Sequence, residues 1–509
     1  MLAHVSSAAV LGIHAAPIDV EVDIAVGLPG CHIVGLPDAG VKEGRVRIRG
    51  ALENSGFKLP PRRITVNLAP ADLRKDGASF DVPIAVGMLC AAGELEPAAL
   101  EASVFVGELA LDGAVRPVRG VLPIAAWARA LGRRRLFVPR GNASEAAVVA
   151  GSCAIYPVGH LSEVVAALRG ENGGEGDRGC AHAAELPSSS VAQPWLPDLE
   201  DVRGQEVARR ALELAAAGGH NLLFVGPPGS GKTMLAQRLP GILPGLSFDE
   251  SLETTMVYSV AGQLGGRALV TERPFRAPHH TVTTAGLVGG GPGVRPGEIT
   301  LAHNGVLFLD ELLEFGRSVL EALRQPIEDR SVSLVRANRT ISYPSDFMLV
   351  AALNPCPCGH RGSPLRTCTC SMAAIAAYRA RLSGPLLDRI DMHVEVPAVP
   401  YRELSTGARG ESSAVVRQRV EATRGRQRAR GMRSNARISA RELDEVAALD
   451  AEGHALLEVA VERFALSARA VSRIRRVART IADLADEAAV RAPHLAEALQ
   501  FRALDRPDP

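Results

Sequence analysis

Eight successive residues, Gly226, Pro227, Pro228, Gly229, Ser230, Gly231, Lys232 and Thr233, have the types and order needed to hold a polyphosphate. The glycines let the backbone curl so that its N–H groups face phosphate oxygens. A helix starting at the loop adds positive charge from its amino end. Lys232 is placed to reach the β- and γ-phosphates, and Thr233 to ligate Mg²⁺. The apolar run 221–225 predicts a buried strand entering the loop, and 234–239 predicts a helix leaving it. A plain glycine-rich turn would not need that context.

A second apolar strand is predicted over 306–309, ending in Asp310 and Glu311. An acid at the tip of a strand beside a phosphate loop can hold Mg²⁺ through water, so Asp310 is assigned to the metal. The next carboxylate can polarise the attacking water, so Glu311 is assigned as general base. A third strand over 347–353 ends in Asn354. Its side chain could orient water against the γ-phosphate, or serve only as a turn residue. The implied ligands are ATP and Mg²⁺.

The elements that must carry these residues follow from the rest of the chain. Its 509 residues allow roughly two to four domains. Hydrophobic residues at 47% and charged residues at 22% suit a globular α/β protein. Residues 1–168 alternate strand-like and helix-like runs and form one mixed α/β domain. Residues 169–195 are polar and rich in Gly, Ser and Glu, and read as a flexible linker. Residues 196–400 alternate strand and helix again and hold the phosphate motif, and 401–509 are helical and rich in Ala and Arg. No apolar run is long enough for a membrane-spanning helix, and the amino terminus lacks a secretory pattern. With eight cysteines in no secreted framework, a reducing cytoplasm is the simplest location.

Cys356, Cys358, Cys368 and Cys370 form two close pairs, spaced to close a loop around structural Zn²⁺, with His360 as a substitute ligand. Free thiols or redox-labile pairs are the alternatives. The formal net charge of +1 leaves no global field for holding nucleic acid, so any grip must be local. Residues 332–341 predict a β-hairpin with Arg336 and Arg339 near its tip, facing either a phosphate backbone or its own subunit. Residues 417–437 hold eight arginines against the single acid Glu421, which would suit phosphates or a solvated surface equally. His279 and His280 have no carboxylate near them in sequence and make a poor metal pair. The stretch 275–291 reads as an insertion, and its three glycines 289–291 suggest a mobile pore loop with an unconstrained backbone.

The phosphate motif, 275–280, 297–305, 306–311, 354–359 and 386–391 together resemble the magnesium-chelatase-like AAA+ ATPases, and within them the competence-associated branch. The resemblance spans nearly the whole chain. It implies that Asn354 is the sensor-1 residue and that Arg389 is an arginine finger reaching the γ-phosphate of a neighbouring subunit. It also implies that Arg469 is sensor 2 of a helical lid. By composition alone, Arg389 would be read as an ion-pair partner of Asp388 or Asp391. The amino-terminal domain resembles the Lon protease domain, a ribosomal S5 domain 2-like fold. Ser79 stands where Lon-type enzymes carry their nucleophile, but 119–125 lack the lysine such a serine needs, so the domain is read as non-proteolytic.

The resemblance implies a ring, expected to be a hexamer, that hydrolyses ATP and acts on branched or single-stranded DNA as a branch-migration helicase in recombination or natural transformation. The alternatives are a chelatase-type ATPase that remodels a protein for metal insertion, an ATP-dependent protease and a nucleotide-binding adaptor.

Overall fold

The first two strands, Leu2–Leu11 and His14–Ala25, pair antiparallel around a turn at Gly12, whose φ of +64° favours glycine. Ile18, Val20, Val22 and Ile24 point to one face and are buried, as period-two alternation requires. The computed structural model describes residues 2–73, 75, 77–149, 151–170, 196–291, 294–336, 339–362, 366–406 and 409–505. Within the amino-terminal domain a seven-stranded mixed sheet runs in the order Gly30–Val34, Arg63–Ala69, His14–Ala25, Leu2–Leu11, Ser103–Phe105, Arg135–Pro139, Ala154–Val158. The helix Asp81–Ala91 is buried along its length, which explains why it is apolar all round after Asp81, whose buried carboxylate is met by Arg47 at 2.9 Å. The domain closes with the helix Leu161–Arg169, capped by Gly170 at φ +70°. Apart from residues 169 and 170, the expected linker lies outside the described residues.

The second sheet is wholly parallel. Its order is Phe275–Arg276, Val306–Leu309, Met348–Leu353, Leu222–Val225, Met392–Glu395. Every residue of Val306–Leu309, Met348–Leu353 and Leu222–Val225 is buried, as expected of strands covered on both faces. The helices Glu206–Gly218 and Lys232–Ile242 share a core with Leu222, Phe224 and Val350. The chain after residue 401 is helical, as expected. The longest of these helices are Ser413–Ala429 and Ala468–Leu484, and the second presents Ile474, Val477, Ala478 and Ile481 to the same core.

Two expectations are corrected here. All of the arginines of 417–437 except the exposed Arg428 are engaged within the chain and do not form a free phosphate-binding face. Arg417 donates to the Gly241 carbonyl at 2.9 Å, Arg419 pairs with Glu213 at 2.6 Å, and Arg424 donates to the Ala216 carbonyl at 3.0 Å. Arg426 pairs with Asp486 at 2.7 Å, Arg430 with Asp483 at 2.5 Å and Arg433 with Glu250 at 2.6 Å, while Arg437 pairs with Asp346. Their acids come from distant segments, so the run straps the helical part to the parallel-sheet domain. Burial pushes the Arg424 guanidinium down to about 9 and that of Arg437 to about 10. The segment 275–291 is likewise structured rather than an unconstrained loop. After Phe275–Arg276 it forms the helix Thr284–Val288, capped by the Thr283 side chain, and then the pair Gly289–Gly290 with Arg295–Pro296.

The amino-terminal domain docks on the helix Phe248–Ala261. Leu252 and Met256 of that helix pack against Val104, Leu122 and Ala125. Ser259 donates to the Glu145 carboxylate at 2.5 Å, and its carbonyl accepts from Gly120 N at 3.1 Å. Burial raises the Glu145 pKa against the hydrogen bonds from Ser259 and Asn142.

Candidate nucleotide site

The phosphate loop follows the carboxyl end of Leu222–Val225 and leads directly into Lys232–Ile242. Gly229 and Gly231 adopt φ values of +77° and +94°. A Cβ on Gly229 would meet nothing within 4 Å, so its backbone, not crowding, calls for glycine there. At Gly226 the reason differs, because a Cβ would lie 2.1 Å from the Val396 carbonyl oxygen. Lys232 is buried, and its Nζ donates to the carbonyls of Gly226 at 2.7 Å and Pro227 at 2.9 Å and to Asn354 Oδ1 at 3.2 Å. Burial pulls its pKa down, with Asp310 and Glu311 opposing.

Thr233 Oγ1 donates to Asp310 Oδ2 at 2.6 Å. These two hard oxygen donors suit Mg²⁺, which takes few protein ligands and keeps substrate phosphates and water as the rest. Glu311 follows, with its backbone in the left-handed region at φ +50° and its N–H bonded to Asp310 Oδ1 at 2.9 Å. The structure thus brings Lys232, Thr233, Asp310, Glu311 and Asn354 to one end of the parallel sheet. Sequence reasoning missed Gln205, whose Nε2 donates to the carbonyls of Ser230 at 3.2 Å and Pro397 at 2.6 Å. No local pattern marks it. It also missed His280, whose Nδ1 lies 3.9 Å from Glu311 Oε2, although no carboxylate is near it in sequence.

Arg389 and Arg469 lie elsewhere. Arg389 is buried, donates to the Pro385 carbonyl at 2.6 Å and pairs with Glu328 at 2.7 Å, rather than with Asp388 or Asp391. Its carbonyl accepts from Asn221 at the start of the loop strand, so it belongs to the amino end of the sheet. Arg469 is exposed on the first turn of Ala468–Leu484. It lines a cavity of ≈ 870 Å³ with Asn221, Gly305, Met348 and Asp391, residues at the amino ends of four strands. Neither arginine joins the phosphate loop of its own chain.

The four cysteines converge next to this site. Cys356 Sγ lies 3.4 Å from Cys358 Sγ and 3.6 Å from Cys368 Sγ, and Cys358 Sγ lies 3.6 Å from Cys368 Sγ. All four sulfurs fall within 4.8 Å of one another. Tetrahedral Zn²⁺ with bonds of about 2.3 Å sets its sulfurs about 3.8 Å apart, so the donor set fits. Backbone N–H groups of His360 and Thr369 bond Cys358 and hold its thiol down to about 6. Gly359, at φ +80°, sits against the phosphate loop, where a Cβ would lie 2.6 Å from Pro228 Cδ.

The predicted hairpin is present as Ser331–Arg336 paired antiparallel with Arg339–Pro344, with Arg336 opposite Arg339. Ala337 and Asn338 at the expected turn lie outside the described residues. The base of the hairpin is anchored, since Tyr343 is buried with Ile13, Val257 and Val294. Its hydroxyl donates to the Val294 carbonyl at 2.6 Å. In the amino-terminal domain Lys75 is buried and donates to the Pro70 carbonyl.

A five-stranded parallel sheet, a phosphate loop at its carboxyl edge and a helical carboxyl-terminal part define an AAA+ type nucleotide-binding protein. Family descriptions match in three consecutive stretches. Residues 20–142 match the subunit ChlI of Mg-chelatase, 198–404 match magnesium chelatase, subunit ChlI, and 410–502 match its C-terminal part. The chain is 46% identical over 510 residues to the competence protein ComM of Haemophilus influenzae, covering 99% of this chain and 98% of that one. It is also 46% identical over 508 residues to YifB of Salmonella typhimurium, covering 99% and 98%. The magnesium-chelatase 67 kDa subunit of Chlorobaculum parvum is 29% identical over 160 residues, 30% of this chain and 23% of that protein. The chain belongs to the magnesium-chelatase-like AAA+ family, in the branch of ComM and YifB.

Proposed function

We propose that this chain is an ATP-hydrolysing, ring-forming motor that acts on DNA as a branch-migration helicase in recombination or natural transformation, in the cytoplasm. The observation that carries the ATPase part is the convergence of Lys232, Thr233, Asp310, Glu311 and Asn354 at one strand edge. In that reading Lys232 and the loop amides bind the phosphates, and Thr233 and Asp310 hold Mg²⁺. Glu311 takes a proton from water as its oxygen bonds to the γ-phosphorus. The bond to the bridging oxygen breaks, and its electron pair leaves with ADP.

The ring reading rests on Arg389 and Arg469. Both stand at the far end of the sheet from their own phosphate loop. Charge on the transferring phosphoryl group would then be stabilised by a neighbouring copy, Arg389 leaving Glu328 to do so. A hexamer is the assembly proposed. The DNA reading rests on the full-length likeness to a competence protein and on the hairpin that pairs Arg336 with Arg339. Zn²⁺ held by Cys356, Cys358, Cys368 and Cys370 would be structural, since four protein ligands leave no open position. The chelatase alternative is the less favoured, because the 67 kDa magnesium-chelatase subunit is 29% identical over 30% of the chain, whereas the competence protein is 46% identical over 99% of it.

The hairpin assignment is tested by Arg336→Ala with Arg339→Ala. The ratio of DNA-stimulated to basal ATP turnover should fall toward one. If the two rates drop in the same proportion, the hairpin does not grip DNA.

A further inference from the structure

The first hairpin of the chain is apolar at its tip, where a turn is ordinarily polar. Leu11 pairs with His14 across the two residues Gly12 and Ile13. Gly12, at φ +64°, opens that two-residue turn, where a positive φ favours glycine. Ile13 then stands at the outermost point of the hairpin. A large apolar side chain left in water there would be unfavourable, yet Ile13 is buried. What buries it lies outside its own domain. It clusters with Val257, Val294, Leu301 and Tyr343, and every other member of the cluster comes from residues 256–343.

Tyr343 belongs to the arginine hairpin. The strands Ser331–Arg336 and Arg339–Pro344 form a two-stranded sheet apart from the two larger ones. Such a hairpin is marginally stable alone in water, so the course of its tip depends on what holds its base. The turn at Gly12 and Ile13 meets that base. A Cβ on Gly12 would lie 2.8 Å from the Ser342 carbonyl oxygen and 3.3 Å from Ile341 Cγ2. Two positions before Ile341, Arg339 pairs with Arg336. Beside the contact the two parts separate around a cleft of ≈ 800 Å³, lined by Leu11 and His14 on one side and by Thr340 on the other. The touch is therefore made at the turn, not along a broad face.

The turn is backed by a fixed body. Leu252 and Met256 of the helix Phe248–Ala261 pack on the amino-terminal domain, and Val257 and Tyr258 of the same helix enter the Ile13 cluster. One helix thus sets the domain and the base of the hairpin against each other, and Ile13 closes the remaining gap.

We propose that the amino-terminal domain braces the arginine hairpin, with Ile13 as the positioning residue that fixes where the hairpin presents Arg336 and Arg339 to a phosphate backbone. The inference rests on the hairpin gripping DNA. It gives a domain without the protease's lysine at 119–125 a task in the motor. The test is ATP turnover of the full-length chain against the concentration of a synthetic four-way DNA junction, with hydrogen exchange measured on the same variants. Ile13→Ala should raise the half-stimulating DNA concentration about tenfold, while basal turnover and KM for ATP stay within about twofold. Ile13→Val keeps most of the side chain and should recover most of the loss. In Ile13→Ala the amides of Ser331–Arg336 and Arg339–Pro344 should exchange faster, while those of Leu222–Val225 keep the parental protection. Arg336→Ala with Arg339→Ala in parallel separates the two claims. If that double variant is stimulated like the parent, the hairpin reading fails and the brace falls with it. If the double variant loses stimulation and Ile13→Ala responds to DNA like the parent, the brace alone is overturned. It is also overturned if Ile13→Val is as impaired as Ile13→Ala. A loss of protection in Leu222–Val225 with a matching fall in basal turnover would mean general destabilisation, and would likewise contradict positioning.

Discussion

A buried cation survives only where its charge is met or abandoned, and positions 232 and 220 show the two outcomes. Lys232 keeps its proton because two carbonyls and the Asn354 carboxamide surround it. His220 is fully buried, with Nε2 against Thr480 Oγ1 at 2.8 Å, and burial holds it down to about 4 from its ordinary 6.5. Asp391 opposes this shift, while Arg424, Arg476 and Arg473 reinforce it. Between these values the unfolded chain binds the proton and the folded chain does not. Stability is therefore complete above pH 6.5 and is lost as pH falls toward 4. The shift corresponds to something on the order of 3 kcal/mol. His393, also fully buried, is shifted in the same direction by that burial. Urea titrations between pH 7.5 and 4.5 should show His220→Gln losing less stability than the parent over that range. Parallel curves would mean that His220 is not buried neutral.

At the scale of elements, the four-cysteine loop is the piece whose role can be removed cleanly. The purified chain should carry stoichiometric zinc by elemental analysis. Cys358→Ser with Cys368→Ser should lose that zinc and melt roughly 5–10 °C lower. A metal-free parent with the same melting point as the variant would leave the thiols without a structural role. The phosphate loop, the strand ending in Asp310 and the hairpin were legible in the sequence, because each is a local pattern: glycine placement in the loop, the continuous apolar run Val306–Leu309 in the strand, and alternation in the hairpin. The arginines of 417–437 were misread because charge counting sees neighbours in sequence only. Glu213, Glu250, Asp346 and Asp483, which hold them, come from other segments. His280 was missed for the same reason: it lies 3.9 Å from Glu311, a residue of another segment, beyond the end of the strand pair Phe275–Arg276 with Val306–Leu309.

Across the whole molecule, the two halves are joined where motion would matter. The amino-terminal domain grips the helix Phe248–Ala261 through Leu252, Met256 and the Glu145–Ser259 contact. Its first turn reaches the arginine hairpin, where a Cβ on Gly12 would lie 2.8 Å from the Ser342 carbonyl oxygen. The hairpin thus touches the amino-terminal domain on one side and, through Leu334 beside Gly289, the 275–291 segment on the other. No helix among the described residues is long and apolar enough to cross a membrane. With a formal net charge of +1, any contact with DNA would fall to local groups, and its strength would fall with salt. The proposal that the phosphate loop drives work on DNA is tested most directly by the ATP turnover of the full-length chain with and without branched DNA, repeated as salt is raised. Stimulation by DNA that fades with increasing salt is the expected result. Turnover indifferent to DNA at every salt concentration would rule the proposal out.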